Sequence, residues 1–350
     1  MPKVPAYAAA NPKAPLAPFT VARREPGEKD VVIDILFCGV CHSDIHQARD
    51  EWGGSAFPMV PGHEIIGRVA RTGARVKRFK KGDLAGVGCM VDSCRDCGPC
   101  RRNLEQFCQK GAAFTYNGTE MDRKTPTFGG YSTQVVVDER FTLKVPAGLD
   151  PAGAAPLLCA GITTYSPLRQ WNCKEGDQVG VVGLGGLGHM AVKLAASMGA
   201  EVTVFSSSHK KEEDARRLGA RAFALTSEEG TFGKLVGGLD LIVDTISAPH
   251  DYNQYLGLLR PRGTMVVVGV PSAPIPVSAF SLIMGNKRLA GSLIGGVAET
   301  QEVLDYCAEH AIVSDVEIIP IQKINEAYER MLKGDVRYRF VIDIASLQAS

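Results

Sequence analysis

The chain carries no excess of either charge. Thirty-nine Lys and Arg against 38 Asp and Glu leave a formal net charge of +1, which removes any electrostatic reason to expect a nucleic acid or an anionic membrane as partner. It also lacks a secretion signal: residues 1–19 are proline-rich and contain no apolar core of the length such a signal needs. An unbroken apolar span is missing too. The longest uncharged run lies between Arg262 and Lys287 and is long enough to cross a bilayer, but Pro271, Pro274 and Pro276 interrupt it, and a buried strand followed by a loop is the expected form. There is no internal repeat and no low-complexity segment. What remains is 350 residues, 45% of them hydrophobic. That is enough for full cores and favours two domains, expected in the cytoplasm.

Ten cysteines are present, and four of them crowd together. Cys94-Arg95-Asp96-Cys97-Gly98-Pro99-Cys100 is followed, after seven residues, by Cys108. Zn²⁺ binds thiolate sulfur strongly and accepts a tetrahedral shell of four cysteines, which has no open position and is therefore structural. Disulfides would suit a small secreted domain rather than a chain of this length without a signal. Cys38, Cys89, Cys173 and Cys307 are left over as packing residues.

Residues 31–37 read as an imperfectly alternating strand, and 43–49 as a short helix after the turn at Cys41. Further strand-like runs are 65–70, 84–87, 134–137 and 142–145. Gly and Pro punctuate them and helical periodicity is scarce, which indicates a compact β domain. Composition shifts near Pro146-Ala147-Gly148. From Gln178 the texture alternates: strands are expected at 178–182, 201–205, 221–225, 239–244, 264–268 and 289–294, with helices between them at, for example, 187–198 and 210–218. That order implies a doubly wound parallel sheet. The tail has a helix at 302–309 and a strand at 338–344.

Gly183-Leu184-Gly185-Gly186-Leu187-Gly188 follows the first of these strands and opens a helix, the context a dinucleotide fingerprint requires. Gly183 permits the tight turn, Gly185 lets the backbone approach a pyrophosphate, and Gly188 permits close helix–strand packing. At the end of the second strand, where an NAD site carries an acid, the chain instead has Ser206, Ser207 and Ser208, then His209, Lys210 and Lys211. Hydroxyls and lysines suit the 2′-phosphate of NADP. Ser208 could equally cap the following helix, and the two roles are compatible.

Cys41-His42-Ser43-Asp44, Pro61-Gly62-His63-Glu64 and Leu158-Cys159-Ala160-Gly161 lie far apart, and spacing alone does not assemble them. Taken in order with the four-cysteine run and the glycine fingerprint, they resemble the zinc-dependent medium-chain alcohol dehydrogenases over nearly the whole chain. The likeness is greatest to the cinnamyl alcohol dehydrogenase branch and its bacterial NADP-dependent type. The resemblance implies an α/β protein with two parts. One is a GroES-like β-barrel catalytic domain, residues 1–154 and 296–350, with a zinc lobe at about 89–112. The other is a Rossmann doubly wound parallel sheet, residues 155–295. It further implies two Zn²⁺ per chain, a catalytic one held by Cys41, His63 and Cys159 and a structural one held by Cys94, Cys97, Cys100 and Cys108, together with NADP.

By the same resemblance Asp44 fixes the His63 ring. Glu64 is either a carboxylate that approaches zinc or a charge-balancing neighbour. Ser43 and His46 form a proton relay, their spacing placing both on one helix face. His42, Thr163 and one of Arg337 and Arg339 contact the cofactor. Trp52, Cys89 and Ile294 line the substrate pocket, although Trp52 could equally belong to the core, and its bulk argues against a large cinnamyl substrate. The implied activity is reduction of small aliphatic or aromatic aldehydes by a homodimer. The rivals are an NAD-linked polyol or secondary-alcohol dehydrogenase and a non-enzymatic cofactor-binding or redox-sensing protein.

Overall fold

The computed structural model describes residues 2–271 and 273–347. It divides into two compact units, Met1–Ile162 with Gly295–Ser350, and Thr163–Ile294.

The first unit is organised on the long strand Asp30–Gly39, which is buried along most of its length. One edge pairs antiparallel with Ile65–Thr72. The other edge is shared: its first half pairs with Gln134–Asp138 and its end with Arg339–Asp343. Two partners on one edge, with register shifts on the opposite edge between Val32 and Ile33 and between Ile35 and Phe37, curl the sheet, because bulges bend and twist a strand. Leu84–Val87, Leu143–Lys144 and Val316–Pro320 extend it to seven strands. Ile33, Ile65, Ile66, Val87, Leu158 and Phe340 are fully or almost fully buried. The expected tail strand at 338–344 is Arg339–Asp343, parallel to Val316–Pro320.

The expected end of this unit at residue 154 is too early. The 3-10 turn Ala155–Leu158 is wholly buried and packs on the strands Asp30–Gly39, Ile65–Thr72 and Leu84–Val87. There is no room for a side chain at Gly86 without pressing on Leu158. Residues 155–162, Cys159 among them, therefore belong with the strands. The returning segment begins at Gly295 rather than 296.

The second unit is a six-stranded sheet in which every pairing is parallel. In chain order its strands are Gln178–Val182, Glu201–Ser206, Ala222–Leu225, Leu239–Asp244, Leu259–Val267 and Arg288–Gly291. In space they lie third, second, first, fourth, fifth, sixth. The order reverses between the first and fourth strands, where Val182 lies beside Asp244; ligands bind outside the carboxyl ends of strands at such a point. The core contains Val182, Phe205, Ile242, Leu256 and Met265, all without exposure. Two strand expectations shift. The fifth begins at Leu259, and the sixth ends at Gly291, so that Ile294 lies beyond it with a left-handed φ of 39°. No helix among the described residues is long and apolar enough to cross a membrane.

Candidate active site

Cys41 ends the first turn after the central strand and caps the helix His42–Ala48. Asp44, three residues on and fully buried, reaches back so that its Oδ2 accepts from the Cys41 N–H at 2.9 Å, the reciprocal half of a capping box. The same carboxylate accepts from the Gly62 N–H at 3.1 Å and the Tyr131 hydroxyl at 3.2 Å. Gly62 has φ 103°, a conformation side chains rarely adopt, and a Cβ there would press on Cys38 Sγ and Tyr131. Asp44 therefore ties the Cys41 turn to the turn that presents His63. Its Oδ1 lies 3.2 Å from His63 Nδ1, close enough for an ion pair although off the hydrogen-bond direction.

Cys159 follows the buried turn Ala155–Leu158. One donor atom from each of Cys41, His63, Glu64 and Cys159 lies within 4.8 Å of all the others. The Cys41 and Cys159 sulfurs are 4.0 Å apart; a tetrahedral zinc with Zn–S near 2.3 Å needs about 3.8 Å. Hydrogen bonding from Cys159 holds the Cys41 thiol well below its ordinary pKa and raises that of Cys159. The donor set thus fits a zinc ion in spacing and chemistry.

Glu64 is fully buried. One oxygen meets the Arg339 guanidinium, which also donates to the Val40 carbonyl at 2.8 Å; the other has no hydrogen-bond partner, and the carboxylate contributes an oxygen to the donor set. A Cβ on Gly39 would overlap that carboxylate. Burial raises the Glu64 carboxyl to about 7, against the pull of Arg339. This arrangement corrects one expectation. Arg339 is 4% exposed and turned onto Glu64, so it is not extended towards a phosphate; Arg337 is exposed.

The sequence-based candidates around this cluster separate. Ser43 Oγ lies 3.5 Å from Cys41 Sγ. His46, on the same short helix, pairs through Nδ1 with Glu51 and stacks on Trp52 at 4.8 Å. Trp52 is 47% exposed and so is not a core residue. Cys89 is half-buried and donates to the Leu158 carbonyl at 3.8 Å. The neighbouring Cys159 lowers its pKa, which puts it beside the donor set. Thr163 is buried, His42 exposed and Ile294 half-buried; Thr163 and Ile294 belong to the second unit. Glu51, Tyr131 and Gly39 had no signal of their own in the sequence.

In the second cysteine group, all four thiols lie within 4.8 Å of one another, and none of the ten cysteines is in a disulfide. Backbone N–H groups point at sulfur: Cys97 N at Cys94 (3.3 Å), Gln109 N at Cys97 (3.4 Å) and Cys94 N at Cys108 (3.4 Å). Such bonds favour thiolates, and those from the Asp96 and Cys97 N–H groups hold Cys94 at about 6. Arg95 fastens the lobe to the strands through Asp92 and Asp138. These four sulfurs also fit a zinc ion.

In the second unit Gly183 has φ 89°, and a Cβ on Gly188 would overlap the Gly183 carbonyl, whereas a Cβ on Gly185 would meet nothing within 4 Å. The space over Gly185 is thus open to a ligand. Ser206 is buried, its Oγ accepting from the Ser208 N–H at 3.2 Å. Ser207 is exposed. Ser208 stands at a helix N-cap but its side chain makes no capping bond. Lys211 Nζ donates to the Leu184 carbonyl at 2.8 Å, within the glycine loop.

Two expected outcomes follow from this geometry. Asp44→Asn keeps the shape but turns an amide NH₂ towards groups that themselves donate. With each hydrogen bond to a charged group contributing about 1.5–3 kcal/mol, urea unfolding should show a loss of about 3 kcal/mol, and elemental analysis a fall from two zinc ions per chain towards one. The second outcome separates the glycines. Gly188→Ala should lower the melting temperature with little regard to ligand, while Gly185→Ala should leave melting unchanged and weaken dinucleotide binding in fluorescence titration.

Comparison with known proteins agrees with this architecture. Residues 27–147 match the alcohol dehydrogenase GroES-like domain, and residues 186–309 the zinc-binding dehydrogenase domain. The chain is 54% identical to NADP-dependent alcohol dehydrogenase C of Mycobacterium bovis, over 99% of this chain and 100% of that one. It is 50% identical to aldehyde reductase YahK of Escherichia coli, over 99% of each. A cinnamyl alcohol dehydrogenase from Sorghum bicolor superposes with a TM-score of 0.95 at 45% identity, covering 98% of both chains. With two donor clusters suited to zinc, a curled sheet and a doubly wound one, and relatives matched end to end, the chain belongs to the zinc-dependent medium-chain alcohol dehydrogenases, on the cinnamyl alcohol dehydrogenase branch.

Proposed function

We propose that the chain is an NADP(H)-linked alcohol dehydrogenase that acts mainly as an aldehyde reductase on small aliphatic or aromatic substrates. The observation that carries this reading is the convergence of Cys41, His63 and Cys159 with a carboxylate oxygen of Glu64. A purely structural role needs no donor set with room for a further ligand, which argues against a non-enzymatic protein.

Cys41, His63 and Cys159 would hold the catalytic zinc, and Cys94, Cys97, Cys100 and Cys108 the structural one. The catalytic ion supplies a Lewis acid that polarises a carbonyl, and the reduced dinucleotide supplies hydride. The chain's residues do the rest. Asp44 sets the spacing of two of the ligands. Glu64, held on one side by Arg339, offers a carboxyl oxygen to the cluster. The Ser43 hydroxyl, next to Cys41, donates a proton to the developing alkoxide. His46 exchanges protons with solvent, and its partnership with Glu51 leaves Nε2 as the free nitrogen.

Ser207, Ser208 and the N–H groups that follow Ser206 would receive the 2′-phosphate. Lys211 adds charge while bracing the glycine loop through Leu184. Ten cysteines without a disulfide suit a reducing compartment, and we place the protein in the cytoplasm. A homodimer is supported by the second unit. Its sixth strand, Arg288–Gly291, is the sheet edge, and Phe280, Ile283, Met284 and Leu293 nearby in the chain are each at least half exposed. An open strand edge and apolar side chains on one unit suit self-association.

Steady-state kinetics with NADPH and NADH, read by loss of reduced-nicotinamide absorbance on an aldehyde panel, test the main reading. Two or three charge-assisted contacts at about 1.5–3 kcal/mol each should favour NADPH by at least about two decades in kcat/KM. Ser206→Asp, which restores an acid at the strand end, should reverse much of this. Lys211→Ala should cost NADPH most but weaken NADH as well, because it also frees Leu184. Equal efficiency with both cofactors in the unaltered protein would favour the NAD-linked reading. For the dimer, Ile283→Asp combined with Met284→Asp should convert the species seen by light scattering to a monomer; an unchanged mass would place the interface elsewhere or exclude it.

A further inference from the structure

The loop that follows the fourth parallel strand, residues 245–251, packs directly on the glycine loop. Thr245 Oγ1 donates to the Val182 carbonyl at 2.7 Å, and its N–H reaches the same oxygen at 3.0 Å. The Ile246 side chain fills the space in which a Cβ on Gly183 would sit, and Thr245 Oγ1 lies 3.2 Å from the corresponding position on Gly188. These residues form a wall of the phosphate crevice at the point where the strand order reverses.

What holds that wall is a buried group outside the residues assigned so far. Asp244, at the end of its strand, has no exposure. Its Oδ1 accepts from the Ile246 N–H at 3.2 Å, and its Oδ2 lies 3.2 Å from His250 Nε2, six residues further on. Neither of these two atoms has a conventional hydrogen bond. The other ring nitrogen, Nδ1, is 2.9 Å from the Ala248 carbonyl, and the ring stacks on buried Tyr252 at 4.3 Å. Each ring nitrogen thus lies beside an oxygen atom. Burial pushes the Asp244 carboxyl up, and His250 is the charge that opposes the shift.

We propose that Asp244 and His250 are positioning residues for the dinucleotide: the pair closes the 245–251 loop on itself and sets Thr245 and Ile246 against Gly183 and Gly188. This rests on the glycine loop being a dinucleotide site. The pair touches the wall shared by all dinucleotides and lies apart from the serines that read the 2′-phosphate. Its loss weakens NADPH and NADH by the same factor, unlike a change at Ser206.

The test is binding of NADPH and NADH by nicotinamide fluorescence, together with melting curves with and without nucleotide and saturation kinetics. The proteins compared are the unaltered chain, His250→Ala and His250→Gln. His250→Ala should raise both dissociation constants about tenfold, within the range of coupling between a site and the residues that position it, with kcat at saturating cofactor unchanged. His250→Gln, whose amide is long enough to keep a polar group beside Asp244, should recover most of the loss. Unaltered dissociation constants beside a lowered nucleotide-free melting temperature would overturn the proposal and leave the pair a fold-stabilising contact. So would a loss confined to NADPH, or equal losses in the Ala and Gln variants. Absence of NADPH binding by the unaltered chain would instead remove the dinucleotide reading itself.

Discussion

Three donors from three parts of the chain converge on the carboxylate of Asp44: the Cys41 N–H, the Gly62 N–H and the Tyr131 hydroxyl. A carboxylate without exposure is costly unless such donors satisfy it, and their requirement for it is mutual. The consequence is geometric. Cys41 and His63 lie on turns just beyond the paired strand ends, where Cys38 stands opposite Ile65 and the Gly39 N–H donates to the Glu64 carbonyl, and Asp44 ties the two turns together. Tyr131 extends the connection. Its loop bonds back to the chain before His63 through Gly129 N to Val60 O and Gly130 N to Gly62 O, and buried Arg23 holds that loop through the carbonyls of Phe128 and Gly129. The curled sheet supplies the platform, and this network aims the donors.

The second unit uses the same device in another form. There, too, a buried acid at the end of a strand organises the loops that follow. Asp244 stands beside Val182 in register, so the two strand ends that flank the reversal in order deliver the glycine loop and the 245–251 loop to one place. Missing side chains do as much as present ones. Gly188 lets helix and strand approach, Gly185 leaves space above the backbone, and Gly39 makes room for Glu64. Each of these three glycines carries a different steric demand, and Gly183, with a φ of 89°, adds a conformational one.

Local patterns were legible in the sequence wherever the deciding contacts are local. The four cysteines of the lobe lie within fifteen residues and meet in space. The parallel strands 178–182 and 239–244 fall on the apolar runs Val179–Val182 and Leu241–Val243, because a strand covered on both faces is mostly apolar. Pairings across the chain were not legible. Glu64 and Arg339 are 275 positions apart, and an arginine near a carboxyl-terminal strand has the same appearance whether it reaches a phosphate or a buried glutamate. The boundary was misplaced for a related reason: residues 155–162 follow a composition change at 146–148, yet their burial is against strands far earlier in the chain. Spacing likewise could not join Cys41, His63 and Cys159, and only their resemblance to a family did so ahead of the fold.

The charge balance of the donor cluster explains why those distant pairings matter. Asp44 and Glu64 are two buried carboxylates, and Cys41 and Cys159 become two more anions when they act as metal ligands. Arg339 is the cation paired with Glu64 inside the same buried region. Burial opposes the Arg339 charge, and Glu64 with the two cysteines more than offsets that. With His63 neutral, the set carries three negative charges in excess, a concentration that a low-dielectric interior does not support without a counter-ion. A dication reduces the excess to one, and the donors on Asp44 spread what is left over backbone amides and a hydroxyl. Arg339 alone is too little charge for this cluster, and its guanidinium already satisfies one Glu64 oxygen and the Val40 carbonyl. The Glu64 carboxylate and the two sulfurs are therefore matched to a divalent ion by charge as well as by distance.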